Sequence, residues 1–243
     1  MLGGLCLVAA TAVLTTATPS LAASLGRESR NTHHPQVPSL DVPACPATAK
    51  LTYNKSVPDR TDFNLTQVEL CYDKTAIRIK FTAFNETNFH FNASHKINDP
   101  IYEYEVMEAF ISAGHDDPST YFEFEVSPNN VTFNAFILNP SKVRAAGSPM
   151  GAAFISDPSP LDFGITTTTV LDRAAQTWVS TANIPLFMFN VDEGKAKGTR
   201  WRMNFFRTIT APDTFPSQRL GAWNPPSQAN FHMTPFFGHV KFV

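Results

Sequence analysis

The 243-residue chain lacks any concentration of positive charge: 19 Lys+Arg stand against 21 Asp+Glu, for a formal charge of −2. That excludes a nucleic-acid grip built on neutralising phosphates. Glycine is scarce, at 11 residues, and no internal repeat is present, which excludes fibrous folds. Helix signals are missing too, because 19 prolines are scattered through the chain while Val, Ile, Thr, Phe and Tyr gather in short runs. What is present is apolar: 43% of the residues are hydrophobic and 21 are Phe, enough for one large core and too many for a disordered chain.

Long hydrophobic runs are absent as well. The apolar stretch 5–14 is shorter than the roughly 20 residues a membrane span needs. It lies in an uncharged segment that leads into Pro19-Ser20-Leu21-Ala22-Ala23, a small-residue cleavage pattern, so residues 1–22 read as a secretory signal peptide and the protein as extracellular. Of three cysteines, Cys6 leaves with that peptide. Cys45 and Cys71 remain and are expected to form a disulfide worth about 3–4 kcal/mol, since two thiols are too few for structural zinc. Five Asn-x-Ser/Thr sequons, at Asn54, Asn64, Asn85, Asn92 and Asn130, point to an N-glycosylated surface that leaves the C-terminal half bare.

Residues 23–44 are polar, Pro-punctuated and without period, which predicts a flexible leader. From there to residue 243 short alternating runs follow one another, at 66–72, 76–84, 102–113, 121–127, 131–138, 164–172, 177–184, 201–207 and 237–243, with turn residues between them. About ten strands and no helix predict an all-β domain over 45–243, an antiparallel β-sandwich of jelly-roll type. Trp178 and Trp201 alternate with apolar neighbours and are expected in its core, and Arg207 is expected to pair with a carboxylate at a strand end.

The most chemically loaded segment is Tyr102-Glu-Tyr-Glu-Val-Met-Glu108. Glu103, Glu105 and Glu108 resemble the E-x-(D/E)-x-x-E spacing of the laminarinase-type family 16 glycoside hydrolases, which implies Glu103 and Glu108 as a catalytic pair. On a regular strand residues 103 and 108 point to opposite faces, and a retaining pair needs carboxyls about 5–5.5 Å apart, so only a bulge would serve.

A second resemblance covers residues 65–243. Glu105-Val-Met-Glu-Ala-Phe, Tyr121-Phe-Glu-Phe-Glu-Val-Ser, Asn183-Ile-Pro-Leu, Trp201-Arg-Met-Asn-Phe-Phe-Arg207, Trp223-Asn-Pro-Pro and Phe237-Gly-His-Val-Lys-Phe occur in the order of the family 9 carbohydrate-binding modules. The resemblance implies a sandwich that binds sugar without cleaving it, with no required cofactor but with structural calcium in some members. It implies sugar stacked between aromatic rings at Tyr102 and Phe231, where the family carries Trp. On the next strand, where the family presents Arg and Asn, this chain has Glu125 and Ser127. Trp223, in a Pro-rich loop near Phe231, is a further candidate contact. The carboxylates Glu103, Glu105, Glu123 and Glu125 suit either hydrogen bonds from sugar hydroxyls or a cation, and the sequence leaves the metal open. The expected partner is therefore a polysaccharide or oligosaccharide of the cell wall, bound by a monomer with no nucleic-acid or membrane partner; the alternative is a glycoside hydrolase.

Overall fold

A run that alternates apolar and polar residues can bury its apolar face only by pairing into a sheet that another layer covers. The structure is a computed structural model that describes residues 35–156 and 159–243; the expected signal peptide over 1–22, Cys6 and the first part of the expected leader lie outside them. Thirteen strands occur among the described residues: β1 (Ser39–Val42), β2 (Ala49–Lys55), β3 (Asp62–Tyr72), β4 (Ala76–Phe84), β5 (Val106–Ala113), β6 (Thr120–Val126), β7 (Thr132–Leu138), β8 (Gly151–Phe154), β9 (Thr166–Asp172), β10 (Thr177–Pro185), β11 (Arg200–Ile209), β12 (Arg219–Ala222) and β13 (Gly238–Phe242). One sheet runs β1-β13-β11-β5-β6-β7-β8, with β12 also paired to β11, and the other runs β2-β3-β4-β10-β9. No helix among these residues is long and apolar enough to cross a membrane.

The all-β sandwich is as expected, with four strands beyond the nine runs read from the sequence. The additions are β1, β2, β8 and β12, three of them four residues long, too short to show a period. β1 also corrects the leader: residues 39–42 pair in parallel with β13, Val42 is fully buried, and the folded unit starts well before Cys45. A second correction falls at 102–113. The strand begins only at Val106, because residues 101–103 wind into a 3-10 turn closed by Tyr104 N–H donating to Ile101 O at 2.9 Å.

Two cores flank the larger sheet. Between the sheets lie Val68, Leu70, Ile77, Ile79, Phe81, Phe122, Phe124, Trp178, Trp201 and Phe205. On the outer face, Val106, Phe110, Tyr121, Phe133, Ile137, Phe206 and Phe237 form a second cluster beneath the loops. Both Trp indoles expected in the core are there, and each satisfies its N–H: Trp178 Nε1 donates to Ser180 Oγ and Trp201 Nε1 to Thr199 Oγ1, both at 2.8 Å. Cys45 and Cys71 form the expected disulfide, tying the segment before β2 to the end of β3 across 26 residues, a closure worth about 3.5 kcal/mol.

Candidate functional site

Side chains alternate faces along β5 and β6, so Phe122, Phe124 and Val126 turn inward while Tyr121, Glu123 and Glu125 turn outward. The register sets Glu108 opposite Glu125 and Phe110 opposite Glu123, which gathers three carboxylates on the outer face of the larger sheet. One oxygen from each of Glu108, Glu123 and Glu125 lies within 4.8 Å of the others, and all three side chains are buried. They floor a groove of about 380 Å³, whose sides bring together Tyr102, Phe133, Phe154, Phe231 and Arg144.

Burial raises each of these carboxyls. Glu108 is pushed well above the carboxylate range by desolvation and by the Glu123 charge, and Glu125 by desolvation and by the charges of Glu108 and Glu123. Desolvation pushes Glu123 up to about 7, with Arg144 pulling the other way. Glu108 Oε1 accepts a long 3.5 Å bond from Thr208 Oγ1. Neither oxygen of Glu125 meets a donor of the protein, apart from a proton it would share with Glu123.

The aromatic side of the groove depends on how the segment between β4 and β5 folds back. Arg207, fully buried on β11, donates Nη2 to Glu86 Oε2 at 2.7 Å, and Glu86 Oε1 accepts from the N–H of Asn88 at 2.7 Å and of Phe89 at 3.0 Å. Farther along, Glu105 Oε2 accepts from His90 N–H at 2.7 Å. Burial and the Glu86 charge push the Glu105 carboxyl up to about 8. The 3-10 turn just before it then presents Tyr102, 47% exposed, edge-on to Phe133 at 5.8 Å, with its carbonyl accepting from Gln218 Nε2 at 2.6 Å. On the other side, Asn139 Nδ2 donates to His232 O and Asn230 Nδ2 to Val143 O, clasping the loops that carry Arg144 and Phe231. His232 is held neutral, its pKa lowered to about 4 by burial and by Arg144, and its Nδ1 lies 2.6 Å from Tyr121 Oη.

Glu105 supplies a pH test. Its folded pKa lies above the ordinary 4.5, so folding favours the neutral acid, and the Glu105 contribution to stability is full below about pH 4.5 and falls as pH rises towards 8. Urea titrations at pH 5 and pH 8 should therefore show Glu105→Gln losing less stability across that window than the wild type. An unchanged difference would contradict the assignment.

Of the residues named from the sequence, some line one groove and others lie apart from it. Tyr102, Phe231, Glu108, Glu123 and Glu125 share the groove. Phe231 is not free-standing: it stacks on Phe206 with ring centres 4.2 Å apart. Ser127 is buried beyond the end of β6, where its Oγ donates to Asn129 Oδ1 at 2.6 Å and its N–H to Val131 O at 3.0 Å, closing a turn. Trp223 packs against the inner core, 5.9 Å from Phe205, over Gly238, where the indole leaves no room for a Cβ. The catalytic pair Glu103 and Glu108 is not assembled: Glu103 is exposed on the 3-10 turn and does not line the groove in which Glu108 stands. Of the sequons, Asn54, Asn85 and Asn130 are exposed and Asn64 and Asn92 half-buried. Arg144, Phe154 and Thr208 are groove residues without a sequence signal, brought there by loops and by strands paired across the sheet.

Two other depressions are chemically quieter. One of about 370 Å³ on the five-stranded sheet is lined by Glu69, Lys80 and Arg78, whose charges are already paired: Lys80 with Glu69 at 3.0 Å, and Arg78 with Asp73 outside the depression at 2.6 Å. One of about 140 Å³ surrounds His115 and His239.

No family model matches the sequence. An extracellular protein of Arthroderma benhamiae is 52% identical over 206 residues, which are 85% of this chain and 91% of that protein. Among solved structures, a candidate carbohydrate-binding protein from Bacteroides uniformis superposes with a TM-score of 0.63 at 16% identity, covering 86% of this chain and all of the other. A family 9 carbohydrate-binding module from Caldicellulosiruptor kristjanssonii in complex with cellotriose superposes with a TM-score of 0.52 at 13% identity, over 84% of this chain and 93% of that one; its glucose complex gives 0.52 at 14%, over 84% and 95%. The fold is that of the family 9 modules.

Proposed function

We propose that this chain, which belongs to the family of the Arthroderma benhamiae extracellular protein, is a carbohydrate-binding protein that holds a cell-wall polysaccharide or its chain end without cleaving it. The protein is extracellular. The observation that carries the reading is one groove in which Tyr102 and Phe231 stand over Glu108, Glu123 and Glu125. A pyranose offers a face of C–H bonds to an aromatic ring and hydroxyls to acceptors at its edge, and this groove supplies both. Its volume of about 380 Å³ lies within the range of small-molecule sites, and the fold also carries the modules solved with cellotriose and glucose. The exposed sequons Asn54, Asn85 and Asn130 suit N-glycosylation of a secreted chain.

Geometry favours binding over hydrolysis. A retaining pair flanks the glycosidic bond with carboxyls about 5–5.5 Å apart, leaving room for the anomeric carbon between them. Here the pair implied by the hydrolase resemblance is split, because Glu108 lines the groove and Glu103 stands outside it. Incubated with insoluble cell-wall polysaccharides, the protein should sediment with one of them and release no reducing ends. Turnover that disappears in Glu108→Gln would overturn the reading.

Replacing the rings separates binding from folding. Tyr102→Ala and Phe231→Ala should each weaken saccharide binding by about 1–3 kcal/mol, roughly 5- to 150-fold. Tyr102→Ala should leave the melting temperature nearly unchanged, because the ring is half exposed without ligand, whereas Phe231→Ala should lower it, having lost its stack on Phe206. A Tyr102→Ala protein that fails to fold would identify Tyr102 as a core residue.

A further inference from the structure

We infer that Glu108, Glu123 and Glu125 hold one divalent cation of the calcium class at the floor of the groove, with coordination positions left open towards vicinal hydroxyls of a bound saccharide. The second half rests on the carbohydrate reading above; the first does not.

Three observations converge. The spacing fits a single ion: ligand oxygens lie about 2.3–2.6 Å from calcium, so two of them can be at most about 5 Å apart, and the three carboxylate oxygens here lie within 4.8 Å of one another. Magnesium demands near-ideal octahedral geometry and keeps several waters, so a floor of three carboxylates suits calcium better.

Glu125 supplies the second observation. It is 0% exposed, it lines the groove, and both its oxygens lack a donor from the protein beyond a proton shared with Glu123. A buried carboxylate without a partner is costly, and buried charges are found paired or on metals. A cation reached from the groove would satisfy these two oxygens where no side chain does.

The charge balance is the third. Three carboxylates face the groove, and against them the lining offers Arg144 and the neutral His232. Glu108 and Glu125 sit directly opposite each other across the ladder, an arrangement in which both can carry charge together only with a cation between them. A divalent ion meets that need with hard oxygen ligands alone.

The test is calorimetric titration of the chelator-stripped, full secreted protein with calcium chloride alone, then with magnesium chloride, in the wild type, Glu125→Gln and Glu108→Gln. The expected result is one calcium site with a dissociation constant of about 10⁻⁴–10⁻³ M or tighter, as in extracellular modules, at least tenfold weaker for magnesium and at least tenfold weaker for calcium in either variant. Because Gln keeps the volume and removes a buried acid, both variants should melt no lower than the wild type in chelator, and calcium should raise the melting temperature of the wild type more than that of either variant. No heat and no melting shift in about 10 mM calcium, tenfold above the weakest of those constants, would overturn the site whether or not the protein binds saccharide. If calcium binds but saccharide affinity is unchanged by chelator, the bridging role fails. If calcium binds and no saccharide does, the proposed function fails and the cation site stands.

Discussion

Trp178→Ala is expected to cost about 3–5 kcal/mol of folding stability, a third or more of what an ordinary domain possesses. The indole is 0% exposed between the two sheets, on β10 where that strand pairs with both β4 and β9. Truncation removes the burial of the largest kind of side chain and leaves a void that the paired strands on both sides cannot close, since their backbones are held in register by ladder bonds. The lost Nε1 bond adds little, because Ser180 Oγ keeps its 2.7 Å partner Thr169 Oγ1. Urea denaturation should show a lower midpoint with an unchanged slope, and Trp178→Phe, which keeps an aromatic ring, should lose less. A loss under about 1 kcal/mol would show that the core repacks around the site.

Arg207→Met should cost about as much, roughly 3–5 kcal/mol, for a different reason. Arg207 and Glu86 are both buried and their oppositely charged atoms lie 2.7 Å apart, so removing the guanidinium leaves a carboxylate uncompensated in a site that already raises the neighbouring Glu105. Removing the second charge should recover part of the loss. Arg207→Met with Glu86→Gln should be more stable than Arg207→Met alone, and a double-mutant cycle should give a coupling of about 1–3 kcal/mol. Additive losses would mean that the pair does not act as a unit. Because Glu86 also accepts the N–H groups of Asn88 and Phe89, the single variant should loosen the segment that carries Tyr102, and saccharide affinity should fall with stability.

How far the sequence reveals this fold depends on where the interactions lie. Alternation is local, and 76–84 is legible to the residue as β4, with Ile77, Ile79 and Phe81 inward and Arg78 and Lys80 outward. The same local rule puts Tyr121, Glu123 and Glu125 on one face, so the carboxylate floor is legible as a face before its partners are known. Glu108 joins it through the β5–β6 register, which the sequence does not specify. Glu86 is hidden for a stronger reason: it sits in a polar loop, and the arginine that buries it is 121 residues away. Residues 101–103 mislead in the opposite direction, since Tyr102-Glu-Tyr-Glu alternates like a strand while the segment is drawn into a 3-10 turn and Glu105 into a buried network. Ser127 and Trp223 were sugar-contact candidates by position in the family pattern; one strand end and one close approach over Gly238 place them elsewhere.

The aromatic groove as a saccharide site is tested most directly by a glycan array probed with the secreted wild type and with Tyr102→Ala at matched concentration in calcium-containing buffer. The account predicts wild-type signal on a related set of cell-wall glycans, with that signal falling by at least fivefold in the variant while its melting temperature holds. Equal signal from the two proteins, or no glycan bound by the wild type, would contradict it.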